Sequence, residues 1–449
     1  MQRRHLLKGV GAAALLPAAL SHAIKGKKTN VILILTDDTG YEVFGCYGSK
    51  QYKTPRVDRL AETGMRFNHC YSNPVCAPSR VKIMTGKSNV RNYVHWGVLD
   101  PGERTLGHMM KDAGYATCVA GKWQLEGGGT FAPETRGAGT LPRDAGFDEH
   151  FCYELKSGQK DYWNPVFTVN GQSVEKENTY GPTLVNDYVL DFIDSKKEEP
   201  FFIYYPLWLS HGPFLPTPDS ADRSSTASQK NFEDMVAYMD KLVGRVVDKL
   251  DEAGIREDTL ILFTADNGSP GGAKGGIVSE LHGRMIDGGK SKTTDAGTRV
   301  ALVANMPGTV PAGSVTDDLV DFSDMMPTMA GMTGAPLPSG DVIDGVSFAP
   351  QLRGRQGNPR DWIYMYNEPV PGPVPDPTIF ARDHRWKLYS DGRLYDISKD
   401  VLEQNPVTQG GSAARAKLQA VLDSMPSEGL KIYRPETDPM AGRNTGSLQ

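Results

Sequence analysis

Cysteine is scarce in this chain: five residues among 449, at positions 46, 70, 76, 118 and 152. So sparse a set excludes a disulfide-built scaffold and leaves the burial of a large core, which this length supplies, to hold the fold. Set Cys76 aside and an even number remains, so pairing in an oxidising compartment has three open connectivities. Histidine is thin as well, nine residues, and no histidine-rich second metal site is visible. Excess basic charge is absent: 49 Lys and Arg against 54 Asp and Glu leave a net charge of −5. With no long basic stripe to neutralise phosphates, a nucleic-acid partner is not expected. Long apolar runs are missing too. The one near the start, Val10 to Leu20, is too short to cross a bilayer, so no membrane span is expected.

What is present begins with that run. A basic start containing Arg3 and Arg4, the run itself and the small residues Ser21-His22-Ala23 read as a cleaved secretory signal over residues 1–23. Paired arginines before Leu6-Leu7-Lys8 look like a twin-arginine signal, with a plain Sec signal as the alternative; either places the mature chain in the periplasm or outside the cell.

After it, Asn30 to Thr36 is a continuous apolar, β-branched run, the pattern of a strand buried on both faces, and it ends in Asp37-Asp38. Thr259 to Thr264 has the same character and ends in Asp266-Asn267. Two such strand ends in an open parallel sheet put four oxygen-bearing side chains on its ligand-binding edge. Asp37, Asp38, Asp266 and Asn267 make a hard anionic cage that suits calcium or magnesium better than zinc, since no cysteine and histidine ligand set accompanies it. Thr54 to Gly64 reads as a helix capped by Thr54, and Met65 to Tyr71 as a strand that delivers Cys76 to the same edge. Pro78 should hold Ala77 extended and Ser79 should cap a helix running from Arg80 to Gly86, leaving Cys76 just ahead of a helix N-terminus, a place that attracts anions.

Further strands at Tyr115–Ala120 and Phe201–Tyr205 lead to Lys122 with Gln124 and to His211; helical spacing marks Thr105–Ala113, Thr183–Ile193 and Asn231–Ala253. Gly127 to Asp144 is a long Gly- and Pro-rich loop. Beyond a polar stretch at Gly354–Pro359, short strands at Trp362–Tyr366, Trp386–Tyr389 and Arg393–Asp396 precede a last helix, Ala413–Met425, and an aperiodic tail from Glu436.

Cys76-Ala77-Pro78-Ser79-Arg80 followed by Thr85-Gly86 resembles the signature of the type I sulfatases, with Ile83 where leucine is usual. Gly121-Lys122-Trp123, Ser210-His211-Gly212-Pro213, Gly288-Gly289-Lys290 before Asp295-Ala296-Gly297-Thr298-Arg299-Val300, and Asp324 to Thr328 resemble further segments of that family in family order, with Asp295 in place of glutamate and Ala296 in place of glycine.

The resemblance implies an α/β, alkaline-phosphatase-like fold: a large mixed, mostly parallel sheet sandwiched by helices, followed by a smaller C-terminal antiparallel sheet plus helix. Residues 24–354 would form the catalytic domain, 355–435 the subdomain and 436–449 the tail. It implies sulfate ester hydrolysis by a formylglycine made from Cys76 by a formylglycine-generating enzyme. Asp37, Asp38, Asp266 and Asn267 would hold one divalent cation, calcium or alternatively magnesium, together with residue 76. Arg80, Lys122 and Lys290 would hold the sulfate oxygens, and His211 would protonate the departing alcohol. Lys292 competes with Lys290 for its role. Gln124 stands where the family has a histidine; an amide cannot take a proton at neutral pH, so Gln124 would only position the nucleophile while a cation-bound hydroxyl, His95 or His282 removes the proton. Export suggests sulfated polysaccharides as substrates, with Arg382, His384 and the loop Pro369 to Pro377 as candidates to line a pocket. The alternatives are a phosphodiesterase or phosphonate monoester hydrolase of the same superfamily and an unmodified carbohydrate-binding relative.

Overall fold

A computed structural model describes residues 28–128, 133–153, 162–271, 276–368, 377–426 and 429. The expected signal, the tail and all but the last residue of the Pro369 to Pro377 loop lie outside the described residues.

Sixteen strands are described: β1 (Asn30–Thr36), β2 (Met65–Tyr71), β3 (Ala116–Gly121), β4 (Glu149–Tyr153), β5 (Val166–Val169), β6 (Gln172–Glu175), β7 (Phe201–Leu207), β8 (Thr259–Ala265), β9 (Val278–Leu281), β10 (Arg284–Asp287), β11 (Arg299–Asn305), β12 (Ser314–Asp321), β13 (Ile363–Asn367), β14 (Thr378–Arg382), β15 (Trp386–Tyr389) and β16 (Leu394–Asp396). Ten of them form one sheet in the order β12-β2-β11-β8-β1-β7-β3-β4-β5-β6. At its centre β1 pairs in parallel with β7, Val31 opposite Phe202, and with β8, Asn30 opposite Thr259. β3 continues in parallel beside β7, and β2 runs the same way because β11 is antiparallel to both β8 and β2. Five strand ends, at Thr36, Tyr71, Gly121, Leu207 and Ala265, therefore open onto one rim.

The central strands β1, β7 and β8 are buried at every position because both faces are covered, and most of those positions are apolar. One face packs Ile32, Ile34 and Phe263 under the helices Pro55–Glu62, Gly181–Lys196 and Ser228–Glu252; the other packs Leu33, Leu35 and Leu262 under Cys76–Thr85, Leu106–Asp112 and Met325–Thr333. Among the described residues no helix is long and apolar enough to cross a membrane. The second sheet, β13-β14-β15-β16, is antiparallel and carries the helix Ser412–Ser424, whose Leu418 and Val421 pack on Tyr364 and Leu388.

Two local expectations are corrected. The helix begins at Cys76 itself, with Val75 as its extended N-cap. Pro78 falls in the first turn, where its missing N–H would have had no intrahelical partner, so it does not delay the helix. Ser79 does not cap; its Oγ donates back to the carbonyl oxygens of Val75 and Asn73, 2.9 and 3.1 Å away. The five cysteines are all unpaired, so none of the three connectivities is formed.

Candidate active site

The two acidic strand ends meet because β1 and β8 are neighbours in register, Thr36 opposite Ala265. The backbone N–H of Asp38 donates to Asp266 Oδ1 at 3.2 Å, and Asn267 Nδ2 donates to Asp38 Oδ1 at 2.8 Å. Asp38 holds φ +56°, a left-handed turn that carries its carboxylate back over β8. Close backbone approach requires glycine directly after the second pair: a Cβ on Gly268 would lie 1.8 Å from the carbonyl oxygen of Ala296. All four side chains of the quartet are buried.

Cys76 joins them. Its sulfur and carboxylate oxygens of Asp37 and Asp266 lie within 4.8 Å of one another, and His211 forms a second such group with Asp37 and Asp38. The acidic cage is thus accompanied by the sulfur of residue 76, which the sequence places on this edge, and by the imidazole of His211.

Cations surround the cage. Lys122 Nζ lies 2.5 Å from Asp37 Oδ2, and Lys290 Nζ 2.7 Å from Asp38 Oδ2. Arg80, fully buried, donates through Nη2 to Asp266 Oδ2 at 2.8 Å and through Nη1 to the carbonyl oxygen of Lys122 at 2.5 Å, while its Nε has no partner. Gly121 makes the exit to Lys122 possible: at φ +129° it passes so close to β7 that a Cβ would meet the Pro206 carbonyl oxygen at 2.1 Å. Lys292, the competitor, is about half exposed and faces Asp287. Lys290 is the lysine in the cluster.

His211 is fixed on the turn after β7. Its Nδ1 lies 2.6 Å from the Gly212 carbonyl oxygen, which identifies Nδ1 as protonated and leaves Nε2 pointing at Asp38 Oδ2, 3.7 Å away. The hydroxyl of Tyr162 lies between the carbonyl oxygens of Trp208 and His211 and braces that turn. Gln124, half-buried at φ +65°, has a buried Oε1 without a partner. Of the two histidines that could take its proton-accepting role, His95 has Nδ1 3.3 Å from the Trp96 carbonyl oxygen, and His282 lines a separate pocket against Gly48. Arg382 does not line an open pocket; it is 2 % exposed, with Nη1 2.5 Å from Asp295 Oδ1, and His384 lines a different cleft with Arg385 and Lys417.

The electrostatics follow from burial. Asp37 is disfavoured as a carboxylate by burial, but Lys122, His211 and Arg80 more than offset that and hold it ionised well below the usual range. Its neighbour Asp266 is pushed up to about 7 by burial and then by the Asp37 charge. Burial raises the Cys76 thiol against the pull of Lys122 and Lys290, so as a thiol it stays protonated and is a poor nucleophile. Burial, then Lys122, lowers His211.

The donor set fits a hard cation. Asp37 Oδ1 and Asn267 Oδ1 are buried acceptors without a hydrogen-bond partner, an arrangement that costs free energy unless something positive is bound there.

Residues 29–335 match the family model described as Sulfatase. Arylsulfatase A of Homo sapiens is 32% identical over 391 residues, spanning 80% of this chain and 74% of that protein. N-acetylgalactosamine-6-sulfatase of Canis lupus familiaris is 29% identical over 390 residues, 77% of this chain and 70% of that protein. Among solved structures, the crystal structure of Ps i-CgsB superposes with a TM-score of 0.72 at 24% identity, covering 88% of this chain and 92% of that one.

Proposed function

The chain belongs to the sulfatase family and is a sulfuric ester hydrolase; from that premise we propose that it cleaves sulfate esters of carbohydrates at the rim around residue 76. The observation that carries this reading is the buried quartet with two unpartnered acceptor oxygens, set against the side chain of residue 76 and ringed by Lys122, Lys290, Arg80 and His211. The sugar class is supported by the N-acetylgalactosamine-6-sulfatase relative and by the export signal read in residues 1–23, which favours a periplasmic or secreted enzyme meeting polysaccharides.

Asp37, Asp38, Asp266, Asn267 and residue 76 would hold a calcium ion, with magnesium the alternative, and such an ion supplies Lewis acidity toward a sulfate oxygen. Formylglycine, produced from Cys76 by a formylglycine-generating enzyme, supplies the nucleophile that the buried thiol is not. The charge balance explains the cationic ring. Asp37, Asp38 and Asp266 are already matched by Arg80, Lys122 and Lys290, so a divalent ion leaves the site net positive and ready for an anionic ester.

Lys122 and Lys290 then have an ammonium group each to turn from carboxylate to sulfate oxygen, stabilising charge that grows in the transition state. Arg80 holds Asp266 and the Lys122 backbone, which keeps the cage from spreading. His211, with Nδ1 tied to Gly212, has Nε2 free to give a proton to the departing sugar oxygen, and its lowered pKa eases that release. Gln124 orients the nucleophile by hydrogen bonding and takes no proton. We place the limit of the catalytic unit at residue 354, before the chain enters β13.

The test compares the sulfate and phosphate esters of one phenol, using protein from a host that converts the cysteine. Sulfate release that Cys76→Ala abolishes supports the reading. Preference for the phosphate ester assigns the chain to phosphoryl transfer, and an unmodified Cys76 peptide with no turnover assigns it to a binding role.

A further inference from the structure

A pocket of about 330 Å³ lies on the face of the sheet that also carries the helix Ser228–Glu252, beside the β9-β10 hairpin; its lining includes Tyr41, Tyr47, Arg66, His69, Arg299 and Asp317. That volume is at the lower end of small-molecule sites, enough for one sugar unit. Two guanidinium groups face it. Arg299 lies over the Tyr41 ring at 4.5 Å and Arg66 over the Tyr47 ring at 5.0 Å, and the two rings meet edge to face at 6.3 Å. Tyr47 is itself fixed: its hydroxyl donates to the Phe67 carbonyl oxygen at 2.7 Å and accepts from the Leu302 N–H at 2.8 Å. Arg299 Nε donates to the Asn68 carbonyl oxygen at 2.9 Å.

Neither guanidinium has a carboxylate within ion-pair distance among the described residues. The only carboxylate in the lining, Asp317, accepts from Asn68 Nδ2 at 2.6 Å and lies exposed at the rim. His69 adds no charge; burial, then Arg299, pushes it down to about 4, and its Nδ1 lies 3.3 Å from the Tyr71 hydroxyl. Arginines held over aromatic faces, with Nη groups that make no ion pair among the described residues, are arranged for an oxyanion and not for folding alone. The chain links one end of the pocket to the active-site rim. Tyr41 follows Asp38 after Thr39 and Gly40, and Arg299 pairs across the sheet with Tyr71, the last residue of the strand that leads to Cys76.

We propose that this pocket is a second anion subsite, in which Arg66 and Arg299 bind a carboxylate or a second sulfate on the sugar unit next to the one being cleaved. The inference rests on the sugar-sulfate reading above for its ligand, and on the pocket alone for its chemistry: an oxyanion on a saccharide, recognised by two guanidinium groups between tyrosine rings.

The experiment uses three disaccharides with the same reacting sulfate ester and a neighbouring unit that is neutral, uronate-bearing or sulfated, with wild type, Arg66→Gln and Asp317→Asn. Loss of one guanidinium–anion contact is worth about tenfold. Arg66→Gln is therefore expected to lower the ratio of kcat/KM for a charged to the neutral disaccharide by about tenfold, and Asp317→Asn, which removes the rim repulsion, to raise it. Whichever of the uronate and sulfated arms shows the larger ratio names the oxyanion. Equal ratios in all three proteins would overturn the proposal. Should none of the disaccharides be cleaved, calorimetric titration still decides: binding of the charged disaccharides that weakens in Arg66→Gln sustains the subsite even though the sugar-sulfate reading has failed, and binding indifferent to Arg66 removes it.

Discussion

At residue 211 the geometry leaves one nitrogen for the proposed proton transfer. Because Nδ1 is bonded to Gly212, only Nε2 is available to protonate a leaving group, and the need for that proton depends on the leaving group. His211→Asn is expected to slow a sugar sulfate by about 10² or more while slowing the sulfate of an acidic phenol far less. The sign of the pH dependence follows from the protonation state: the acid form acts, so kcat for the sugar sulfate falls as pH rises through a pKa that burial and Lys122 have moved below the ordinary histidine value. His211→Asn should lose that limb, and a profile unchanged by the substitution would remove His211 as the acid. Lys290 and Lys292 make a second contrast at this scale. Lys290→Ala should reduce kcat/KM by about a hundredfold, whereas Lys292→Ala, a solvated surface change, should stay within about twofold. Gln124 supplies a third: Gln124→His places a base where an unpartnered amide oxygen now sits, and a new ionisation in the pH profile is expected. If neither profile nor turnover moves, Gln124 has no part in positioning the nucleophile.

The element that carries Lys290 does not stand alone. The small sheet grips its loop from below: Lys387 of β15, with no exposed surface, places Nζ 2.5 Å from the Thr293 carbonyl oxygen and 2.7 Å from Glu403 Oε1, Tyr389 bonds Thr293 Oγ1 at 3.0 Å, and Arg382 of β14 pairs with Asp295. Lys387→Met would strand Glu403 as an unpaired buried charge, at a cost of about 3–5 kcal/mol, and Lys387→Met with Glu403→Gln should recover much of it. A thermal melt reads both. Burial, eased by Glu403, brings Lys387 down to about 8 from the ordinary 10.5. Between those values the unfolded chain binds a proton that the folded chain lacks, so this group makes stability rise with pH across that window, a slope the Met variant should not show.

Elements also show what was legible. Strands β1 and β8 stood out because burial on both faces demands unbroken aliphatic residues, and their ends announced the quartet. β6, Gln172–Glu175, and the hairpin β9-β10 did not, since short polar strands at an edge carry no periodic signal. The start of the helix at Cys76 was missed because proline in a first turn looks, in sequence, like proline before a helix. The bonds of the Arg80 Nη groups to Asp266 and to the Lys122 carbonyl oxygen depend on how three strands and a helix register, which no local pattern encodes. The pocket of Arg66 and Arg299 was invisible for the same reason, its two arginines coming from strands more than two hundred residues apart.

For the whole molecule, the proposed cation would tie chemistry to stability. A cage of buried carboxylates that binds an ion only when folded gains about 2.7 kcal/mol at a hundredfold excess over Kd, so chelation should lower the melting temperature and calcium should restore it together with turnover. The proposed chemistry requires that residue 76 hydrolyse a sulfate ester at this rim as an aldehyde and not as a thiol. The most direct measurement is the rate of sulfate release plotted against the fraction of Cys76 peptide carrying the aldehyde, across preparations converted to different extents. A straight line through the origin is expected; release from all-thiol protein, or none from fully converted protein supplied with calcium across a panel of sugar and aryl sulfates, would contradict the aldehyde mechanism.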